Sequence, residues 1–147
     1  MTQNKIKIGQ NITRSLLISN SKLDLENRTL ELSFSSDTPY KRLTTEEILV
    51  HDAESVGLTK LNNSAPLLLG HDWDKQIGVV ERAWLDGNIG RAKVRFSKRK
   101  EAQDVFQDIQ DGIIRNISVG SEIIDFEVQD NNGVETIFIT KWIPYEI

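Results

Sequence analysis

Two strand-like runs, "IGVVERAWL" and "GRAKVRFS", flank Asp86-Gly87-Asn88-Ile89, and Asp-Gly between such runs marks a hairpin. In the second run Ala92, Val94 and Phe96 alternate with Arg91, Lys93 and Arg95, the period of a strand with one buried face. Such a segment cannot bury its apolar face alone, so the rest of the chain has to supply sheet. "RTLELSFSS" sets Leu30, Leu32 and Phe34 against Thr29, Glu31 and Ser33 in the same way. "PLLLG" reads as a short apolar strand after the polar "LNNSAP", and "IIRNISVGSEIIDFEV" as a long strand region bent at Gly120. A turn at Asn131-Asn132-Gly133 leads into "VETIFITKW". Two stretches read as helix. In "TTEEILV" Thr44 and Glu47 form a capping-box pattern. In "KRKEAQDVFQDIQ", capped by Ser97, residues Ala102, Val105, Phe106 and Ile109 make one apolar stripe, which Gly112 ends. The sum is about seven strands and two helices: a mainly β, α+β chain, with an antiparallel sheet or barrel and the helices outside it. Residues 1–12 read as flexible. No repeat or linker divides the sequence, so residues 1–147 form a single expected domain.

Composition excludes several chemistries. Cysteine is absent, which removes thiol nucleophiles, disulfides and thiolate metal sites. There are only two histidines, His51 and His71, and no HExxH, Walker or GxGxxG pattern, so neither a metal nor a cofactor is expected. A net charge of −4 argues against a general nucleic-acid binder. No run approaches the roughly 18 to 20 apolar residues that cross a bilayer, and "MTQNKIKIGQ" lacks a signal-peptide core, so a cytoplasmic compartment is expected. An enzyme of this composition would build its catalyst from serine, histidine and carboxylate.

Ser118 interrupts the apolar run "RNISVG". Strand alternation puts Ile113, Arg115, Ile117 and Val119 on one face and Ile114, Asn116, Ser118 and Gly120 on the other. The serine face is small and polar, with Gly120 leaving room where a peptide would lie. A structural strand serine is the plainer reading of Ser118 alone. His71, in "LLLGHDWDKQIG", follows an apolar strand and Gly70, a common mounting for catalytic groups. Histidine is the natural base for a serine proton near neutral pH. A loop histidine packed by Trp73, or a weak metal ligand beside Asp72 and Asp74, is the plainer reading of His71 alone. His51 reads as a surface residue. The basics of "GRAKVRFSKRK" read as a solvent face, with an acidic-scaffold or nucleic-acid contact as the alternative.

Taken together, "NNSAPLLLGHDWDKQIGVVERAW" and "DGIIRNISVG" resemble the prohead protease family of tailed phages. "DLENRTLELSFSSDTPYKR" is similar to the family's opening strand and turn, and "WIPYEI" to its Trp-x-x-x-Glu segment. The resemblance covers residues 23–147. It implies a serine endopeptidase with Ser118 as nucleophile, His71 as general base and Glu146 as third member, with Asp72 and Asp74 as rivals to Glu146. It also implies a small β-barrel ringed by helices, as in the herpesvirus assemblin proteases. The implied substrates are the phage major capsid protein, scaffold protein and the enzyme itself. The implied setting is the assembling procapsid in the host cytoplasm, where the herpesvirus relatives make a homodimer possible. Family members continue past this glutamate into a Ser-rich segment and tail, whereas this sequence stops at Ile147. Mechanistically, His71 would take the Ser118 proton and pass it to the leaving amine, and Arg115 or backbone amides near it and Gly120 could hold the oxyanion. The alternative is a non-enzymatic β-barrel domain for scaffold or capsid interaction.

Overall fold

The computed structural model describes residues 6–18 and 22–147. Among them the chain runs β1 (Asn11–Leu17), β2 (Lys22–Asp24), β3 (Thr29–Ser36), β4 (Tyr40–Lys41), β5 (Thr45–Leu49), β6 (Pro66–Leu69), β7 (Asp72–Asp86) and β8 (Ile89–Phe96). A helix, α1 (Lys100–Gln110), and two long strands, β9 (Asn116–Asn131) and β10 (Val134–Glu146), complete it. Two five-stranded sheets result, ordered β1-β9-β10-β5-β4 and β2-β3-β8-β7-β6. They curl into a half-barrel, so the fold is mainly β as expected, while closure into a full barrel is not shown. The end of β10 meets the second sheet at β6, where Ile147 donates to the Pro66 carbonyl at 3.3 Å and accepts from the Leu68 amide at 2.8 Å.

The hairpin signals fall where the sequence places them. Asp86 pairs with Ile89 around Gly87 and Asn88, and only Gly87 has a positive φ, 61°. Asn132 and Gly133, at φ 54° and 86°, turn β9 into β10, the backbone that Asn-Gly adopts in two-residue hairpins. Leu30, Leu32 and Phe34 of β3 lie beside Ala92, Val94 and Phe96 of its neighbour β8 on the buried side of the sheet, all at most 2% exposed. The α1 stripe buries Ala102 and Phe106, and the Phe106 ring lies 5.0 Å from that of Phe96. Gly112 (φ 73°) ends the helix. Its amide donates to Ile109 O and the Ile113 amide to Asp108 O, the paired bonds of a Schellman motif.

Three expectations are corrected. The segment read as a helix from Thr44 is β5, which pairs in parallel with β10. Thr45, Glu47 and Leu49 point inward on alternate residues, so tertiary pairing overrides the local capping-box pattern. Within the stretch read as flexible, Ile6 and Ile12 are buried in the core. Gly9 and Gln10 exchange backbone bonds of 2.7 and 2.8 Å with Ile123, which tethers the segment; residues 1–5 lie outside the described residues. Finally, Ile113, Ile114 and Arg115 precede β9. The Schellman exit holds the first two amides on Asp108, and Ile113 is 71% exposed. β3 is also buried more fully than its alternation implies, with Thr29, Ser33 and Ser35 covered as well.

Candidate active site

His71 sits at the tip of a two-residue hairpin. Leu69 pairs with Asp72, and Gly70 and His71 between them have φ of 63° and 58°. The left-handed backbone suits Gly70 but costs a residue with a Cβ about 1 to 2 kcal/mol. The turn is held in that form on both sides, by the β6–β7 ladder and by the imidazole itself, whose Nδ1–H donates to Glu146 Oε2 at 2.5 Å. The donor assignment follows from the partner, since an ionised carboxylate can only accept. In the neutral imidazole that arrangement leaves Nε2 with a lone pair.

Glu146 closes β10 and is 2% exposed. Its second oxygen, Oε1, is buried with no hydrogen-bond partner among the described residues. Burial pushes this carboxyl above the ordinary glutamate range, and the His71 hydrogen bond and charge pull only partly the other way. Room for it comes from the neighbouring strand. Glu146 pairs with Gly120 of β9, and a Cβ on Gly120 would collide with Glu146 Oε2. The expectation that Gly120 clears space for a peptide is therefore corrected: the space it leaves is filled by the carboxylate.

Ser118 lies two residues earlier on β9, partly buried, with Ser15 of β1 as its cross-strand partner. Ser118, Ser15, Asn116, Gly70 and His71 all border one cavity of about 230 Å³. Ser118 and His71 are thus brought to the same space from different sheets. No direct hydrogen bond joins them among the described residues, and such bonds commonly form only as substrate tightens a site. Behind these polar groups the cavity wall is aliphatic and aromatic, and it includes Val105 and Ile109 of α1.

The other sequence candidates stand apart from this geometry. Asp72 accepts the Asp74 amide at 2.9 Å, and both are exposed. Arg115 is exposed and does not border the cavity. His51 is not the surface residue expected. It is partly buried, with Ser35 Oγ 2.8 Å from Nε2, Leu49 O 2.8 Å from Nδ1, and the Trp142 ring 5.3 Å away edge-on. Desolvation lowers its pKa. The basic strand is partly committed, since Arg91 donates to Ser33 Oγ at 2.8 Å and Arg95 pairs with Glu81 at 2.9 Å.

Sequence reasoning missed two features. One is Ser15, which meets Ser118 only through the β1–β9 register. The other is Glu47, which accepts from Arg14 of β1 and, at 2.8 Å, from Arg42, while the Tyr40 ring lies 4.5 and 5.0 Å from those two guanidinium groups. Burial lowers the Arg14 pKa, and Glu47 opposes that shift. The signal for this cluster is long-range pairing, which a single sequence does not carry.

No family model matches the chain. A curated relative, the major capsid protein of Halomonas phage phiHAP-1, is 40% identical over 121 residues, covering 79% of this chain and 20% of the relative. The chain therefore spans about a fifth of the length of the curated relative it matches. Among solved structures, the bacteriophage T4 capsid assembly protease gp21 superposes with a TM-score of 0.55 over 93% of this chain and 98% of that one, at 11% identity. At that identity the likeness is one of fold. The chain is thus similar in sequence to part of a phage capsid protein and in fold to a capsid assembly protease.

Proposed function

We propose that this chain is a serine endopeptidase of phage head maturation, with Ser118 as nucleophile, His71 as general base and Glu146 as the carboxylate that orients it. The observation that carries the reading is the His71 Nδ1–Glu146 Oε2 bond beside a cavity that Ser118 also borders. With Nδ1 protonated and bonded, Nε2 is the atom that accepts the Ser118 proton as Oγ attacks a peptide carbonyl carbon. Collapse of the tetrahedral adduct breaks the C–N bond. The imidazolium gives its proton to the leaving amine, and an acyl-enzyme forms on Ser118. Water, deprotonated by the same Nε2, then hydrolyses the ester and restores Ser118. Glu146 keeps the ring in the required tautomer and stabilises imidazolium while it exists. The Ser15 hydroxyl, across the strand pair from Ser118, is the side chain we assign to the developing oxyanion.

The substrates we propose are capsid protein, scaffold protein and the chain that carries this domain, inside the assembling procapsid; the fold of a capsid assembly protease and the sequence of a capsid protein support the capsid setting. Because the matched segment is a fifth of the phiHAP-1 protein, a covalently linked capsid domain is a natural first substrate. The name of that same relative favours the second reading, a non-catalytic capsid-interaction domain. Expression of the protein with and without Ser118→Ala separates them. Processing that stops in the variant, with circular dichroism unchanged, supports the peptidase; identical processing in both supports the interaction domain.

A further inference from the structure

Resting on the peptidase reading, we infer that the residue whose carbonyl Ser118 attacks carries a large apolar side chain, which enters the cavity behind the serine. Polarity is unevenly distributed around the cavity. The groups proposed to react, Ser118 and His71, and the small polar residues Ser15 and Asn116 are the polar side chains that border the space. The remainder of the wall is built from side chains such as Leu32, Leu67, Ile77, Val94, Phe96 and Ile109. These come from the β2-β3-β8-β7-β6 sheet and the helix, and Ile117 of β9 adds a wall residue from the other sheet. Leu32, Val94 and Phe96 are at most 2% exposed as parts of the core, so the floor of the cavity is continuous with the core of the half-barrel.

Size and chemistry together select the occupant. An apolar cavity of about 150 Å³ already admits benzene, so this partly open one of about 230 Å³ has room for a leucine, isoleucine, methionine or phenylalanine side chain. Among the described residues no Lys, Arg, Asp or Glu borders it, so a charged side chain would enter without a counter-ion from them and lose its hydration. A glycine or alanine would leave the wall uncovered. Each missing methylene in such a pocket costs on the order of 10- to 200-fold in kcat/KM. The side chain concerned is that of the acyl residue, because its α-carbon is bonded directly to the attacked carbon and so lies nearest the cavity that Ser118 borders. Ile109, partly buried on α1, is the wall residue through which this preference can be altered without cutting into a sheet.

The test uses peptidyl diphenyl phosphonates identical except for Leu, Gly, Glu or Lys in the acyl position, with a small alkyl fluorophosphonate as reference. All are applied to the full-length protein, and adducts are located by mass spectrometry. The inference predicts that the Leu probe labels Ser118 at least about 100-fold faster than the Gly, Glu or Lys probes. It also predicts that Ile109→Trp, which fills the cavity, lowers the Leu-to-Gly ratio by about 10-fold or more. Ser118 labelled by the reference but equally well by all four peptides, or best by Glu or Lys, overturns the specificity alone. No adduct at Ser118 with any reagent, in protein whose circular dichroism and thermal unfolding report a native fold, overturns the peptidase reading and the inference with it.

Discussion

The Glu146 carboxyl is protonated more readily than an exposed glutamate. Burial raises its pKa more than His71 lowers it, so the native state binds this proton more readily than the unfolded chain does. Its stabilising contribution is therefore present at acid pH and is lost as pH rises from the ordinary glutamate range through the raised folded value. Glu146→Gln removes that loss. We expect the variant to be at least as stable as the parent at pH 7, with the difference growing upward from about pH 4.5, measured by urea unfolding across pH. Activity should move the other way, falling by about 10⁴-fold in kcat, because an amide no longer fixes the imidazole tautomer. His51 gives the opposite pH signature. Its pKa is lowered by burial, so its contribution is complete above about pH 6.5 and is lost as pH falls through the depressed folded value. Unfolding of the parent and of His51→Gln across pH 4 to 8, a range of about four units, should show a steeper acid loss in the parent.

Elements place these residues. The Gly70-His71 hairpin and the Gly120–Glu146 strand pair converge, one from each sheet, so the imidazole–carboxylate contact is a joint between sheets. Gly120→Ala puts a methyl group where Glu146 Oε2 lies. The expected result is a loss of about 1 to 3 kcal/mol in denaturant unfolding, as for overpacked sites, together with a fall in activity from displacing Glu146. Parent-like stability and activity would contradict this placement. The sequence carried much at this scale. Strand alternation located β3 and β8, Asp-Gly and Asn-Gly located two hairpins, and the apolar stripe located α1. It failed at β5, where a capping-box pattern suggested a helix and the parallel partner that makes it a strand lies near residue 137. It also missed the hairpin at Gly70-His71, because histidine is an uncommon occupant of a left-handed position and no turn dipeptide announces it. Ser118 and His71 were named as candidates from a family resemblance and their residue types, and both border one cavity. The use of Gly120 was not, since it depends on which residue of β10 lies opposite.

At the scale of the whole molecule, the half-barrel brings together strands that do not pair. β1 and β5 are separated in their sheet by β9 and β10, yet Arg14 and Arg42 converge on the buried Glu47. Removing Glu47 leaves Arg14 desolvated beside Arg42 without its counter-charge. Glu47→Ala should lower unfolding free energy by about 3 kcal/mol, the scale for stripping one partner from a buried pair. Because Arg14 adjoins Ser15 on β1, the same variant should weaken catalysis more than a distant substitution of equal cost; kcat/KM measured well below the unfolding temperature checks this. The architecture matches the T4 capsid assembly protease over nearly the whole chain, while the sequence matches one fifth of a capsid protein. The reading we propose for both is a peptidase domain linked to a capsid polypeptide. The most direct test of that account is to treat the native protein with a fluorophosphonate and map the adduct by mass spectrometry. The account predicts one adduct, on Ser118, that is abolished in His71→Ala. Failure of folded protein to react at Ser118, or reaction that persists unchanged without His71, would contradict it.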